Sequence, residues 1–370
     1  MKPLRIRIVG GSLAGLFAGI VLQRDGHDVK IYERSSSGLA GRGAGLVGQR
    51  DLFRILRFIG CDHVARVGVT ARERIYFNRD GSVAERLATP QMQISWDFLY
   101  ETVASHLAPE TYVTGRRIDD VVEEPDGPKL TFADGKPEHA DLVIGADGLG
   151  SVMRGVMNPD QSNKFAGYVA WRGLVPETAL PDAASILLDR FAFYVTSGIH
   201  VLGYLVPGPQ GGIDKGKRRY NWVWYRPVAA VDLGRQFTGA DGRVFDYSLP
   251  RGALSDERRQ AMRDDAFSML PPPFALAIET ENQPSIQGIF DFEAAKLVSP
   301  HVALIGDAAF VVRPHTAMGV SKAAGDVLAL TQALREAPTL AQALTRYENE
   351  RLPVGREIAT YGQRLGASAL

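Results

Sequence analysis

The amino-acid sequence predicts an α/β fold: a discontinuous domain built on a parallel sheet, interrupted by an inserted mainly β domain and followed by C-terminal helices. Three observations carry this. Residues 5–33 read strand, glycine-rich turn, helix, strand, the opening of a βαβ unit and so of a parallel sheet. Two further short apolar strands, 142–144 and 302–305, each run into a turn holding glycine and aspartate. Between them, 166–250 turns rich in aromatic and β-branched residues with Gly/Pro breaks.

The elements follow in order. Strand 5–9 ends at Gly10, and helix 13–22 is apolar, with Gly26 suited to the left-handed position that closes it. Strand 29–32 ends at Glu33. Residues 35–50 read as a loop, and 52–59 as an amphipathic helix stopped by Gly60. Residues 74–77 and 82–87 form a hairpin around Asp80-Gly81. Residues 96–107 read as a helix, and 113–135 as short strands. Strands at 204–206 and 220–225 flank a loop whose Lys215, Lys217, Arg218 and Arg219 are expected to form a solvated tip. Helix 255–270 stops at Pro271, and helices run from Gly319 to 334 and from Leu340 to the end. The first domain then comprises 1–70, 95–165 and 285–336, the inserted domain 71–94 and 166–284, and 337–370 is a C-terminal helical segment.

Bulk properties exclude several classes. Acidic and basic residues number 42 each, which argues against nucleic acid or an anionic membrane as main partner. One cysteine, Cys61, rules out an internal disulfide framework, and no His pair has metal-ligand spacing, so no metal is expected. No apolar run reaches the ~18 residues of a spanning helix. The start lacks a signal-peptide pattern, so the expected location is cytoplasmic. Residues 211–217 spell G-x-x-x-x-G-K, but Arg218 stands where Ser or Thr should bind Mg²⁺, so a P-loop is rejected.

Three motifs carry the chemistry. The first is Gly10-Gly11-Ser12-Leu13-Ala14-Gly15. In G-x-G-x-x-G the first glycine makes the turn, the second lets backbone approach a pyrophosphate, and the third lets helix and strand pack. Gly10 and Gly15 fit, and Ser12 is small enough for the second place. The following helix offers unpaired N–H groups and a positive dipole end to a phosphate. Glu33, 23 residues after Gly10, stands where a carboxylate can hold ribose hydroxyls. An ordinary strand-turn-helix with a surface glutamate is the alternative.

The second motif, Gly145-Ala146-Asp147-Gly148-Leu149-Gly150-Ser151-Val152-Met153-Arg154, delivers an aspartate into a turn that can cap a helix. By itself it favours a capped corner over a binding site. The third is Gly306-Asp307-Ala308-Ala309, then Arg313-Pro314-His315-Thr316-Ala317-Met318-Gly319. A carboxylate at a strand end suits a polyol chain. Backbone N–H groups at the following helix start would stabilise negative charge on a reduced flavin.

In this order the motifs resemble the class A FAD-dependent aromatic monooxygenases of the p-hydroxybenzoate hydroxylase fold, over nearly the whole chain. Gly167-Tyr168-Val169-Ala170-Trp171-Arg172-Gly173, His200-Val201-Leu202-Gly203-Tyr204 and Arg313-Pro314-His315 look most like the 2,6-dihydroxypyridine 3-hydroxylase branch. The resemblance implies a Rossmann-like FAD-binding domain around an inserted substrate domain. It implies non-covalent FAD, with NADH or NADPH as co-substrate. Gly10, Ser12, Leu13, Ala14 and Gly15 would hold the pyrophosphate, and Glu33 and Arg34 the adenosine ribose. Arg42, Gln49 and Ile118 would lie near FAD, Asp147 in the nucleotide region, and Asp307 at the ribityl chain. Pro314, Ala317, Met318, Gly319, Val320 and Ser321 would face the isoalloxazine. The sequence departs from the family at Phe310, where histidine is frequent, at Ala317-Met318, where Gly-Gln is frequent, and at Trp96, where arginine is frequent.

The reaction so implied is aromatic hydroxylation. NAD(P)H reduces FAD, O₂ adds to give a flavin C4a-hydroperoxide, and one oxygen enters an electron-rich hydroxylated aromatic or N-heteroaromatic ring, such as a hydroxypyridine or phenol. Partners are then a small aromatic substrate, O₂ and NAD(P)H, and a homodimer stays open. Two alternatives also stay open: a related flavoprotein of another reaction (a halogenase, or a reductase fed by a partner), and a non-catalytic nucleotide-binding module.

His200, Tyr204 and His315 are expected to line one pocket and act on the substrate's ring hydroxyl or nitrogen, with His315 as base or its orienting partner. His200 and Tyr204 are four apart on a strand and so face one way. Alternation puts Tyr220, Trp222 and Trp224 on one face, as core or pocket wall, and Trp171, Trp222 and Trp224 could supply flat walls to the pocket. An imidazole near its ordinary pKa of ~6.5 suits a base. Lys322, in a first helical turn, is expected either to be solvated or, in the alternative, to add positive field for an anionic reduced flavin.

Overall fold

The computed structural model describes residues 2–39, 45–124 and 126–369. Strand Arg5–Val9 buries Ile6 and Ile8 completely, because it lies inside a six-stranded sheet. The order is Val298–Ser299, Val302–Leu304, Leu142–Gly145, Arg5–Val9, Asp28–Glu33, Tyr112–Thr114. All pairs are parallel except the edge hairpin of the first two. Helix Leu13–Arg24 links the first two strands of the chain and is apolar nearly all round, since the sheet covers one side and helix Gly319–Glu336 another. It ends as its sequence requires, with Gly26 at φ +87°.

Register decides where the site lies. Val9 pairs with Gly145, and Gly145 with Leu304, so three strands end level. The turns that follow them, far apart in sequence, therefore meet at the carboxyl edge of the sheet, where such sheets leave room for a ligand.

A second, larger sheet runs Ser248–Leu249, Ser285–Glu293, Lys164–Pro176, Arg219–Pro227, Ile199–Val206, Arg190–Thr196, Glu73–Phe77, Val83–Leu87. The hairpin at its far edge closes through Asp80-Gly81, as the turn chemistry predicts. Ser285–Glu293 pairs with Lys164–Pro176 and, at its end, with Phe310–Val311, which ties this sheet to the segment after the third motif. Alternation gives the sheet two faces. On one, Trp171, Tyr220, Trp222 and Trp224 are buried against helices Asp256–Met269 and Pro272–Glu279. On the other stand Tyr168, Arg172, His200, Tyr204 and Tyr225. Strand Gly45–Val47 meets this second face, where Gly45 lies against Tyr204.

The expected helices form with shifted ends: Arg50–Phe58, Trp96–Ala104, Asp256–Met269 behind its Ser255 cap, and Leu340–Ala369. Among the described residues, no helix is long and apolar enough to cross a membrane, and no cluster of His, Cys, Asp and Glu side chains could hold a metal.

The basic loop departs from expectation. Lys215 and Lys217 are exposed, but Arg218 and Arg219 turn inward. Arg218 donates to Glu177 Oε2 at 2.6 Å and to Asp189 Oδ1 at 2.6 Å. Arg219 donates to Asp97 Oδ2 at 3.2 Å and Ser95 Oγ at 3.0 Å. The acidic partners come from distant segments, which a local charge count does not reveal.

Burial works against the Glu177 carboxylate, but Arg218 and the Gly216 and Arg218 amides outweigh it and hold the carboxyl below its usual pKa. A carboxyl depressed in the folded state lends stability above its unfolded pKa, and that stability is lost as pH falls through the folded value. Glu177→Gln should therefore cost about 3 kcal/mol at pH 7, the scale for breaking a buried pair. The cost should shrink at acid pH, below the ordinary carboxylate range of ~4, as the pH falls through the depressed native value. Urea unfolding of both proteins at the two pH values checks this; equal midpoints at pH 7 would show that the pair adds nothing to stability.

Candidate active site

The level strand ends open into a cavity of about 300 Å³, lined among others by Gly10, Ser12, Glu33, Arg34, Ile118 and Asp147. Gly10 has φ +107°, and a Cβ there would lie 2.4 Å from the Ala146 carbonyl oxygen. A Cβ on Gly15 would lie 2.0 Å from the Gly10 carbonyl oxygen. Close approach of turn, helix and neighbouring strand thus requires both glycines. Ser12 is the N-cap of the first helix, yet its hydroxyl caps no amide. Among the described residues, the amides of Leu13, Ala14 and Gly15 therefore keep their donors for a ligand. Arg42 lies outside the described residues.

Glu33 is buried and braces the turn it faces. Its carboxylate accepts from the Gly11 amide at 3.0 Å and the Ser35 amide at 2.8 Å. Asp147 forms the capped corner: Ser151 Oγ donates to Oδ1 at 2.5 Å and the Val152 amide to Oδ2 at 2.7 Å. It also lines the cavity, so corner and cavity wall are one feature.

Arg154 joins the second motif to the third. Its guanidinium donates to the carbonyls of Gly148 at 3.0 Å, Leu149 at 3.0 Å, Asp307 at 2.5 Å and Ala308 at 3.1 Å. It also donates to the Asn163 side chain and lies 4.0 Å above the Phe292 ring. The Asp307 side chain remains exposed. Surrounding protein raises its carboxyl pKa, and the charges of Lys322 and Arg154 pull it down.

Lys322 is not the solvated lysine expected. It is 2% exposed, donates to the Gly306 carbonyl at 2.6 Å and lies 3.6 Å from Asp326. Asp326 accepts from the Gly306 amide at 2.9 Å and from Arg351 Nε at 2.8 Å. A paired, hydrogen-bonded cation can be buried where a lone one could not.

After Phe310–Val311 the chain makes the turn Pro314–Thr316, and Ala317 takes a left-handed φ of +53°. Met318 then opens helix Gly319–Glu336 with no side-chain cap. Gln49 Nε2 lies 3.5 Å from the Thr316 carbonyl, the limit of a hydrogen bond. Gln49, Pro314, Ala317, Met318, Gly319, Val320 and Ser321 are thus gathered around one uncapped helix start.

His315 leaves this turn and meets the second face of the large sheet. Its ring lies 4.4 Å from Tyr225 and 5.4 Å from His200, and its Nε2 is 3.0 Å from the Tyr168 hydroxyl. Tyr204 shares the face but stands at its other end, 4.7 Å from the Phe191 ring, with its hydroxyl 3.5 Å from the Gly45 carbonyl. Among the described residues no hydrogen bond joins it to either histidine.

Two expectations are corrected. Trp171, Trp222 and Trp224 lie on the opposite face of the sheet, and Tyr168, Tyr225, Phe191 and Phe193 are the rings on the face that His315 meets. Nor does either histidine keep an ordinary pKa. Burial pushes His200 down to about 4, and burial with the His200 and Arg313 charges pushes His315 down to about 3. Both rings are neutral at working pH. Tyr168, Tyr225 and Arg172 were not singled out by the sequence reading as pocket residues. Tyr225 is out of phase with Trp222 and Trp224, and that signal alone sets it on the facing side.

A family model described as FAD binding domain matches residues 4–184 and 275–361, and one described as FAD binding domain-like matches 165–291. The chain is 30% identical over 356 residues to 2,6-dihydroxypyridine 3-monooxygenase of Paenarthrobacter nicotinovorans, covering 95% of this chain and 88% of that protein. It is 28% identical to 3-amino-4-hydroxybenzoate 2-monooxygenase of Streptomyces cremeus, covering 98% and 87%. The solved structure of 2,6-dihydroxypyridine-3-hydroxylase from Arthrobacter nicotinovorans matches with TM-score 0.93 and 27% identity, covering 100% of this chain and 93% of that one. With its glycine cradle, its two uncapped helix starts and a family match on both sides of the inserted β segment, the chain belongs to the FAD binding domain family.

Proposed function

We propose that this protein is a flavoprotein hydroxylase that inserts one oxygen atom of O₂ into an electron-rich hydroxylated aromatic or N-heteroaromatic ring, with NADH or NADPH as reductant. One observation carries the reading. A single turn sets the His315 ring 4.4 Å from Tyr225 and, four residues on, starts helix Gly319–Glu336, whose Lys322 binds the Gly306 carbonyl at the strand ends. Cofactor and substrate chemistry therefore meet at that turn. The similarity to two ring monooxygenases over nearly the full chain supports it. A buried, single Cys61 and a reaction fed by nicotinamide nucleotides suit a cytoplasmic setting.

FAD fits the residues present. Gly10, Ser12, Leu13, Ala14 and Gly15 would take the pyrophosphate on free amides, Glu33 and Arg34 the adenosine end, and Ile118, Asp147 and Asp307 the middle. Gln49, Pro314, Ala317, Met318, Gly319, Val320 and Ser321 would border the isoalloxazine. Bound and reduced, FAD would activate O₂ and supply the oxygen atom.

The chain's own part is to exclude water and manage one proton. Tyr168, Tyr225, Phe191 and Phe193 wall the pocket against water. Burial holds the Tyr168 phenol at a pKa of about 12, so it stays protonated and can donate to His315 Nε2, 3.0 Å away. The neutral His315 ring then carries its proton on Nδ1, a donor for a ring oxygen that gains negative charge. His200, whose ring nitrogens have no partner among the described residues, is placed to accept the hydrogen of a ring hydroxyl. Tyr204 positions the far edge of the ring.

These assignments are checked first on the cofactor and then on His315. Purified protein should be yellow and release all its FAD on acid precipitation, and Asp307→Ala should weaken FAD binding by about 1.5–3 kcal/mol, the scale of a charged hydrogen bond. Fluorescence titration of apo-protein measures this, and unchanged affinity would place Asp307 elsewhere than on the cofactor. His315→Ala should slow hydroxylation by about 10²–10⁴-fold, with NADH oxidation continuing and H₂O₂ released in place of product. Because both imidazoles are already neutral, the wild-type rate should show no His titration between about pH 5.5 and 8. A fast, fully coupled variant would remove His315 from the proton path.

A further inference from the structure

Lys322 is the one lysine buried among the described residues, and the hydroxylase reading gives it no task. Its side chain is 0% exposed. A cation in the first turn of a helix opposes the dipole, and burial strips it of water. Holding the turn does not by itself ask for a charge. The Gly306 carbonyl, which accepts from Nζ at 2.6 Å, would be satisfied by a neutral donor.

The neighbours do not cancel the charge. Asp326 Oδ2 lies 3.6 Å from Nζ, but this carboxylate is shared. It also accepts from the Gly306 amide at 2.9 Å and from Arg351 Nε at 2.8 Å. Arg351 is itself buried, and its Nη2 donates to the Lys322 carbonyl at 3.4 Å. Two buried cations thus face one buried carboxylate. Asp51, beside Arg351, is half-buried and already pairs with Arg54 at 2.9 Å.

The excess reaches the cleft. Gly306, held by Lys322, packs on the first glycine motif: a Cβ there would lie 3.1 Å from the Ala14 Cβ. Asp307 follows and is exposed. Burial raises the Asp307 carboxyl pKa, the Lys322 charge opposes that rise ahead of Arg154, and Asp326 adds to it. The Lys322 amide makes the first bond of its helix, to the Met318 carbonyl at 2.7 Å. The free amides of Gly319, Val320 and Ser321 belong to the same turn, so their partial positive charge and the ammonium's full one add. A hydride from NAD(P)H carries two electrons and one proton to FAD, leaves NAD(P)⁺, and gives the ring one negative charge. A fixed cation favours that anionic state over the neutral oxidised one.

We propose that Lys322 is a positioning residue for the reductive step: through Gly306 and Asp307 it sets a positive field in the cleft, so that reduced FAD is held more tightly than oxidised FAD. The inference rests on the FAD site and is independent of which ring is hydroxylated.

The test is the flavin midpoint potential of the FAD-loaded protein, titrated anaerobically against a reference dye. Lys322→Gln keeps a donor for Gly306 and loses the charge, Lys322→Met loses both, and Lys322→Arg keeps both. The Gln and Met variants should each shift the balance toward oxidised FAD by about tenfold, the scale of one charge acting across partly screened protein. For a two-electron couple that is a fall of about 30 mV. Lys322→Arg should stay within about threefold of wild type. A wild-type potential in Lys322→Gln overturns the proposal, since the hydrogen bond alone then suffices. So does an equal fall in Lys322→Arg, because charge is then not what counts. A Lys322→Gln protein that fails to fold or to hold FAD overturns it as well, by making the charge a pin of the turn. The failures are separable. An unchanged potential in Lys322→Gln leaves the cofactor assignment standing, whereas wild type that takes up no FAD sinks both. The expected fall, with no ring hydroxylated, upholds this role and fails the hydroxylase reading alone.

Discussion

One buried guanidinium holds the nucleotide cleft together. Arg154 is 4% exposed and spends its donors on four carbonyls and an amide oxygen drawn from segments 148–149, 163 and 307–308. Parallel strands bring their ends level, but nothing in a sheet ladder fixes the loops beyond those ends. Arg154 fixes them, because a planar fork satisfied on every side has one orientation. Burial lowers its pKa, and the carboxylates of Asp147 and Asp307 raise it. The two acids of the cleft and the cation between them are thus one electrostatic unit.

Lys322 extends that unit behind the third motif. Its ammonium, the Asp326 carboxylate and Arg351 form a buried chain that grips both the N–H and the C=O of Gly306. A cation in the first turn of a helix opposes the dipole. Here Asp326, one turn on, compensates it, and the net result is a rigid Gly306-Asp307 turn with positive charge beneath it. That arrangement leaves the free amides of Gly319 to Ser321 as the donors facing outward, while the lysine acts from behind.

How much of this was legible depended on distance along the chain. The glycine motifs are local: turn, cap and helix start lie within a few residues, so backbone geometry could be read directly. Gly10, Gly15 and the Asp147–Ser151 corner are of this kind. The faces of the large sheet were legible in phase but not in direction. Alternation separates Trp222 and Trp224 from Tyr225, yet which set faces the cleft depends on helices Asp256–Met269 and Pro272–Glu279 covering the other. Ion pairs were hardly legible at all. Arg218, Arg219 and Lys322 read as surface charges because Glu177, Asp97 and the Gly306 carbonyl reach them only through tertiary folding.

The histidines show why burial must be argued before basicity. An imidazole of ordinary pKa would be a good base only if water could reach it, and water is what an oxygen-transferring pocket must exclude. The walls that exclude it also lower His200 and His315 to about 4 and 3. A strong resident base and a dry pocket are therefore incompatible here. The structure resolves the conflict through hydrogen bonding. With the Tyr168 hydroxyl 3.0 Å from Nε2, a neutral His315 in its Nδ1–H tautomer needs no added proton to present a donor. It stabilises charge that arises on the ring during reaction and leaves the resting pocket uncharged at that end.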